Sequence, residues 1–208
     1  MILTGLAPDP RRPDYRLVEV DRGRFASLPA VAIAGLDLVV GREINPPVLA
    51  RLQELADLEA AHRAALRALA RRAHARFDLR RRLVQKQHPP PAVDGALDRL
   101  TAAGLLDDAR FALDYAAAKA QRGRGAARLI RDLLAQGVER RIAEEAVRTS
   151  LAAEGVDPGA AVRALAEKRA RQLAGLPAAV KKRRLVAFLV RRGFNGGTIR
   201  EVVESLNS

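Results

Sequence analysis

The segment FDLRRRLVQKQHPPPAVDGALDRL (residues 77–100) reappears near the end of the chain as KRRLVAFLVRRGFNGGTIREVVESL (182–206), at an offset of 106 positions and without a gap. A middle copy, ARLIRDLLAQGVERRIAEEAVRTSL (127–151), fits at an offset of about 50 from the first. Each copy has the pattern of a helix, a tight turn and a second helix, so the chain is predicted to contain a repeat. The leucines that recur in the three copies are Leu79 and Leu83, Leu129 and Leu133, and Leu185 and Leu189.

A further amphipathic helix precedes each copy, which makes the repeating unit a three-helix unit. We expect these preceding helices at 60–75, 108–121 and 158–173. The composition agrees with helices. Since 49% of the residues are hydrophobic but only 3% are aromatic, the core must consist mainly of aliphatic residues, and of these Ala and Leu favour helices. The predicted fold is mainly α, with three tandem three-helix repeats in an elongated, curved arrangement. The expected parts are a linking helix with the first repeat (49–106), the second repeat (107–154) and the third repeat (155–208).

Residues 1–48 differ from the rest and are predicted to form a small N-terminal β-containing domain. Two strands are expected to meet across Asp21-Arg22-Gly23, with Gly23 at a position of positive φ. Asn45 is expected to cap the first long helix, with proline in its first turn. The predicted elements are strands at 16–20, 24–27 and 37–41 and a short helix near 29–35.

Composition narrows the possible environments and cofactors. The chain has no cysteine, which excludes disulfides and thiolate metal sites and fits a reducing cytoplasm. The N-terminus lacks the pattern of a signal peptide, and the longest apolar stretch (28–40) is too short and interrupted to span a bilayer. Three histidines, His62, His74 and His88, have no ligand partner at a recognisable spacing. We therefore expect a cytoplasmic monomer with no metal, no cofactor and no membrane partner.

Positive charge is concentrated in two separate blocks. The net charge of +13 arises mainly from residues 61–106, with 10 basic and 3 acidic residues, and from residues 157–208, with 11 and 4. Such a distribution favours a polyanionic partner or a partner that carries nucleic acid. The alternative is arginine on solvated helix faces with no partner. The basic candidates for partner or DNA contact in these blocks are Arg80, Arg81, Arg82 and Lys86, and Lys181, Lys182, Arg183, Arg184, Arg191 and Arg192.

The segment GLLDDARFALDYAAAKAQRGRGAARLIRDLLAQGV (104–138) contains an acidic pair and a glycine-arginine loop. Asp107 is expected to cap a helix, as Asp157 is before the third repeat, and Asp108 is expected to favour the positive end of the helix dipole. Phe111 and Tyr115 are four residues apart, a spacing more typical of core packing than of a base-stacking platform.

The loop Arg122-Gly123-Arg124-Gly125 precedes a helix, where free backbone N–H groups and arginines attract anions. It is not a Walker loop, because no Gly-Lys-Ser/Thr follows. The sequence leaves two interpretations of this loop equally open. It either contacts a phosphate or an acidic partner, or it is a plain loop. The candidates here are Arg122, Arg124 and Arg128.

On these residues the chain resembles the RecX family, regulators of the RecA recombinase. The long middle segment (104–138) is the main match, and KKRRLVAFLVRRGF (181–194) and RRAHARFDLRRRL (71–83) support it. The chain departs from the family pattern in the first repeat, where Lys86-Gln87-His88 replaces a Lys-Gly turn, and at Ala126, where proline is frequent.

The resemblance implies a non-enzymatic inhibitor. Its partners would be the RecA filament and single-stranded DNA, with double-stranded DNA as a further candidate. Family members lie along the groove of the filament and restrain its growth, strand exchange and co-protease activity. The alternative interpretation is a direct DNA-binding transcriptional regulator, because a three-helix unit can resemble a helix-turn-helix. A third interpretation, an enzyme, is not supported, because the sequence offers no credible nucleophile, metal site or acid–base pair.

Overall fold

The computed structural model describes residues 1–153 and 158–206, in two compact units. Unit 1 comprises Met1–His74 and Asp78–Leu106, and unit 2 comprises Ala75–Phe77 and Asp107–Ser208. In the described part of the chain, no helix combines the length and the apolar character that crossing a membrane requires.

Unit 1 begins with a three-stranded antiparallel sheet in the order β1 (Leu3–Asp9), β2 (Arg12–Val20) and β3 (Gly23–Pro29). The positive φ values in the β2–β3 turn lie at Asp21 (49°) and Arg22 (64°), so the prediction for Gly23 was wrong. Positive φ at both central residues matches the right-handed twist of a hairpin. Side chains stabilise this turn, because Ile2 N donates to Asp21 Oδ1 at 2.7 Å.

The two predicted strands at 16–20 and 24–27 lie within β2 and β3, but the prediction of a strand at 37–41 was wrong. That segment is irregular, and Gly41 N donates to Leu3 O at 2.8 Å. Strand β1, which pairs with β2 at the edge of the sheet, was not predicted from the sequence. The short helix α1 (Ala30–Ile33) falls inside the predicted range.

The long helix α2 (Pro46–Leu69) begins at the predicted cap, where Asn45 Oδ1 accepts from Val48 N at 2.9 Å. It continues to Leu69, so the separate helix expected at 60–75 does not exist with those bounds. Its first half packs against the sheet, since Leu52 and Leu55 share one core with Leu28. Its second half packs with α3 (Arg76–Gln85) and α4 (Pro90–Ala102).

A buried carboxylate with two arginine partners connects three elements of unit 1. Glu59 on α2 is 1% exposed and accepts from Arg99 Nη1 at 2.7 Å. Arg12 Nη2 on β2 lies 3.5 Å from the same carboxylate, and its guanidinium stacks 3.3 Å from the centroid of the Tyr15 ring. A buried carboxylate is tolerated only when it is paired, so removing either arginine would destabilise this unit.

Unit 2 contains two further helix triplets, each with its own core. The recurring leucines Leu129, Leu133, Leu185 and Leu189 are all buried, as the repeat predicts. The predicted cap Asp157 lies outside the described residues. The helices are α5 (Asp108–Ala120), α6 (Ala126–Ala135), α7 (Arg140–Ala153), α8 (Pro158–Gln172), α9 (Ala178–Arg192) and α10 (Gly196–Ser205).

The tight turn of each repeat has the same backbone geometry. Gly137 and Gly193 have φ of 82° and 87°, and Gln87 occupies the equivalent position in the first repeat at 66°. The next residue then donates its N–H to a leucine carbonyl one turn back, as Phe194 does to Leu189 at 3.3 Å. This left-handed cap favours glycine, so Gln87 is strained where the other repeats are not.

Candidate functional site

The arginines of α3 are held by buried or half-buried carboxylates. Asp78 is 3% exposed and accepts from Arg82 Nε at 2.9 Å and Arg81 Nη2 at 3.0 Å. His74 Nδ1 lies 3.0 Å from the same carboxylate. Arg80 forms a two-pronged contact with Asp94, at 2.6 and 3.0 Å. All three predicted candidates on α3 therefore have an internal partner, whereas Lys86 follows the helix.

The environment of Asp78 fixes its charge. Burial alone would raise the pKa of Asp78, but hydrogen bonds from His74, Arg82 and Arg81 outweigh burial and lower the pKa to about 2. Burial lowers the pKa of His74, which the bond to Asp78 opposes only in part, so this histidine is neutral near pH 7. Asp78 therefore neutralises part of the positive charge that the sequence places on α3.

The glycine-arginine loop is occupied by contacts within unit 2. Arg124 pairs with Asp132, and Arg128 Nε lies 2.9 Å from the same carboxylate. Tyr115 completes this group, since its hydroxyl accepts from Arg124 Nη1 at 3.2 Å. The structure thus gives Arg124 and Arg128 a structural role beside any contact with a partner.

Two N–H groups at the start of α6, within the anion site that the sequence suggested, have protein partners. Gly125 N donates to Arg192 O at 2.8 Å, and Ala127 N donates to Gly193 O at 3.2 Å. Arg192 Nη1 donates in return to Arg122 O at 3.0 Å. We name this contact between the α5–α6 loop and the end of α9 the repeat junction. Its N–H groups are no longer available to an anion.

Unlike the arginines of α3 and Arg124 of the glycine-arginine loop, the exposed cations of α9 pair with no described residue. Lys182, Arg183, Arg184 and Arg191 are exposed, and the described residues provide no hydrogen bond or ion pair to their side chains. Val190, which is 57% exposed, lies among them. We name these four cations the α9 basic face. They extend over about 13.5 Å of helix, at 1.5 Å per residue.

Of the remaining candidates, some have contacts within the protein and others have no ion pair with the described residues. Lys86 and Arg122 are exposed, and within the described ranges their side chains have no ion pair. Lys181 is half-buried, and Arg192 also stacks 5.2 Å from the centroid of the Phe188 ring.

The acidic pair and the aromatic pair of α5 have structural roles. Asp107 caps α5 as predicted, accepting from Ala109 N at 2.8 Å and Arg110 N at 3.0 Å. Asp108 accepts from Arg76 N at 2.7 Å, a cap that the sequence analysis missed. Phe111 is 7% exposed and its ring centroid lies 6.0 Å from that of Tyr115, so this pair packs in the core.

Sequence reasoning also missed the three carboxylates that pair with the candidate arginines, Asp78, Asp94 and Asp132. A usable signal existed, because Asp78 and Arg82, like Arg128 and Asp132, are four residues apart on one helix. In α9 no such pair within the helix is possible, because the sequence has no acidic residue between 178 and 192.

Family models match all three helix triplets. The matches are "RecX, first three-helix domain" at residues 61–100, "RecX, second three-helix domain" at 107–147 and "RecX, third three-helix domain" at 159–203.

Curated relatives and solved structures agree with these matches. The chain is 37% identical to the "Regulatory protein RecX" of Halorhodospira halophila over 143 residues, covering 68% of this chain and 85% of the relative. It is 36% identical to that of Mycobacterium ulcerans over 148 residues, covering 70% and 83%. The "Crystal structure of regulatory protein RecX" has a TM-score of 0.75 at 16% identity and 98% coverage of both chains. That of RecX from Lactobacillus salivarius has a TM-score of 0.61 at 20% identity, covering 73% of this chain and 97% of the other. The two solved structures support the fold.

Proposed function

Because this chain belongs to the RecX family, we propose that it binds the RecA filament on single-stranded DNA and inhibits the recombinase, ATPase and co-protease activities of RecA. It acts in the cytoplasm as a non-enzymatic regulator. The α9 basic face supplies the main attraction to the filament, and Lys86 and Arg122 add to it.

The observation that carries this proposal is the contrast between the arginines of α3 and the cations of α9. Asp78 and Asp94 hold Arg80, Arg81 and Arg82, and each carboxylate offsets part of the positive charge that these arginines offer to a polyanion. No carboxylate among the described residues pairs with the α9 basic face, so its charge stays available to a partner. Phosphates of single-stranded DNA and acidic side chains of RecA are both suitable partners.

The proposal is tested with RecA and single-stranded DNA, by measuring ATP hydrolysis while the protein is titrated at two salt concentrations. Inhibition is expected well below one protein per RecA protomer, and it should weaken at the higher salt because the contact is electrostatic. Unchanged ATP hydrolysis and strand exchange at near-stoichiometric amounts would contradict the proposal.

Direct DNA binding by a transcriptional regulator makes a different prediction. That function requires a preference for one duplex sequence in the absence of RecA. Competition between unrelated duplexes distinguishes the two functions, because equal affinities would exclude base reading and leave the filament as the partner.

A further inference from the structure

A cleft of about 420 Å³ lies in unit 1 between the end of α2 and the side of α3. Its floor is apolar and is formed by Ala64 and Ala68 from α2 and by Leu79 and Leu83 from α3. Its rim carries four cations, Arg71, Arg72, Arg82 and Lys86. The buried His74 and the exposed Gln85 complete the lining.

Two of these cations have no internal partner. Arg71 and Lys86 are exposed, and neither side chain forms a hydrogen bond or an ion pair with the described residues. They come from different elements, one from the residues after α2 and one from the residues after α3. The fold therefore brings them to one cleft, which local sequence patterns do not show.

The other two arginines keep donors available. Arg82 uses Nε for Asp78 at 2.9 Å, and Arg72 reaches the same carboxylate at 3.4 Å and donates from Nη1 to Ala73 O at 3.0 Å. A guanidinium has five N–H donors, so both side chains retain donors for a second acceptor. Asp78 lies beneath the rim and is already shared with Arg81 and His74, so one negative charge faces several cations.

We propose that this cleft is a binding site for a phosphate group, provided by a free nucleotide or by the end of a nucleic-acid strand. Tetrahedral phosphate oxygens accept paired hydrogen bonds from arginine, and a phosphate with two negative charges offsets more of this rim than a carboxylate does. The volume exceeds that of one phosphate and leaves room for a second phosphate or a sugar. This site goes beyond the proposed function, because it requires neither RecA nor the α9 basic face, although it shares Lys86 with the cations proposed to attract the filament.

The test uses calorimetric titration of the full chain with pyrophosphate at low ionic strength. The variant Arg71→Glu/Lys86→Glu changes the two rim cations that do not touch Asp78, so the core beneath is retained. Its matched control, Arg24→Glu/Arg42→Glu, makes the same change of charge at exposed positions of unit 1 outside the cleft.

We expect saturable binding of pyrophosphate that weakens at least tenfold in the cleft variant and less than threefold in the control. Equal weakening in both variants would show an effect of net charge only, and absence of saturable binding would equally overturn the proposal. Two further arms identify the source. Displacement of pyrophosphate by ATP supports a nucleotide, and tighter binding of a 5′-phosphorylated oligonucleotide than of its unphosphorylated form supports a strand end.

Discussion

Replacing Gly125 by alanine should open the repeat junction. A Cβ at this position would lie 2.4 Å from Gly193 O and 2.7 Å from Phe194 N, whereas ordinary contacts begin near 3.4 Å. Both are backbone atoms, so no change of rotamer relieves the clash. Gly125 itself has φ of −79° and ψ of 162°, which alanine adopts without strain. The whole effect therefore falls on the junction.

The expected size follows from the hydrogen bonds that the junction would lose. Those from Gly125 N to Arg192 O and from Ala127 N to Gly193 O are worth about 0.5–1.5 kcal/mol each, so Gly125→Ala should cost about 1–3 kcal/mol. Hydrogen exchange at the Ala127 amide should then accelerate roughly 5- to 150-fold.

The matched control is Gly175→Ala, because a Cβ at Gly175 meets no atom within 4 Å. We expect exchange at Ala127 to stay at the wild-type rate in this control. If Gly125→Ala also left the exchange rate unchanged, the reasoning about a tight glycine junction would be refuted.

Three other changes test the turns, the buried charge and the core. Gln87→Gly should raise the free energy of unfolding by about 0.5–1 kcal/mol, because glycine removes the left-handed strain, and urea denaturation measures it. Because the fold lowers the pKa of Asp78, the ionised carboxylate stabilises the folded state above pH 4. This contribution, about 2 kcal/mol, is lost as the pH falls from 3.8 to 2. The difference in unfolding free energy between wild type and Asp78→Asn should therefore shrink by about that amount between pH 6 and pH 2, and a constant difference would contradict the assignment. Leu189→Ala should cost about 2–5 kcal/mol in thermal or urea denaturation, whereas the exposed Val190→Ala should cost less than 1 kcal/mol.

Features that depend on a few neighbouring residues were predictable from the sequence. The leucine spacing identified the buried positions of every repeat, and Asn45 and Asp107 were recognised as caps because a cap bonds within three residues. The family resemblance rested on the same local patterns, and the comparisons confirm it.

Features that depend on distant residues were missed. Strand β1 pairs Leu3 with Val20 although LTGLAPD has no clear alternation, and the irregular segment 37–41 resembles a strand only in composition. The partners of the candidate cations are equally remote, since Arg80 meets a residue 14 positions away and Arg192 one 70 positions away. A basic cluster in the sequence therefore does not show how much charge remains on the surface.

The central claim is that the α9 basic face attracts the filament, and a pair of variants with equal changes of charge tests it. The first is Lys182→Glu/Arg183→Glu/Arg191→Glu. The control, Arg140→Glu/Arg141→Glu/Arg148→Glu, reverses three exposed α7 arginines that lie beside the carboxylates of Glu144, Glu139 and Glu145.

The most direct measurement is the affinity of both variants for the RecA filament on single-stranded DNA, as a function of salt and with folding checked by circular dichroism. We predict that the α9 variant loses at least tenfold in affinity and the α7 control less than threefold. Where the lost contacts are with phosphate, the slope of log affinity against log salt should also fall by about 2 in the α9 variant. Equal losses in the two variants, or full affinity in the α9 variant, would contradict the claim.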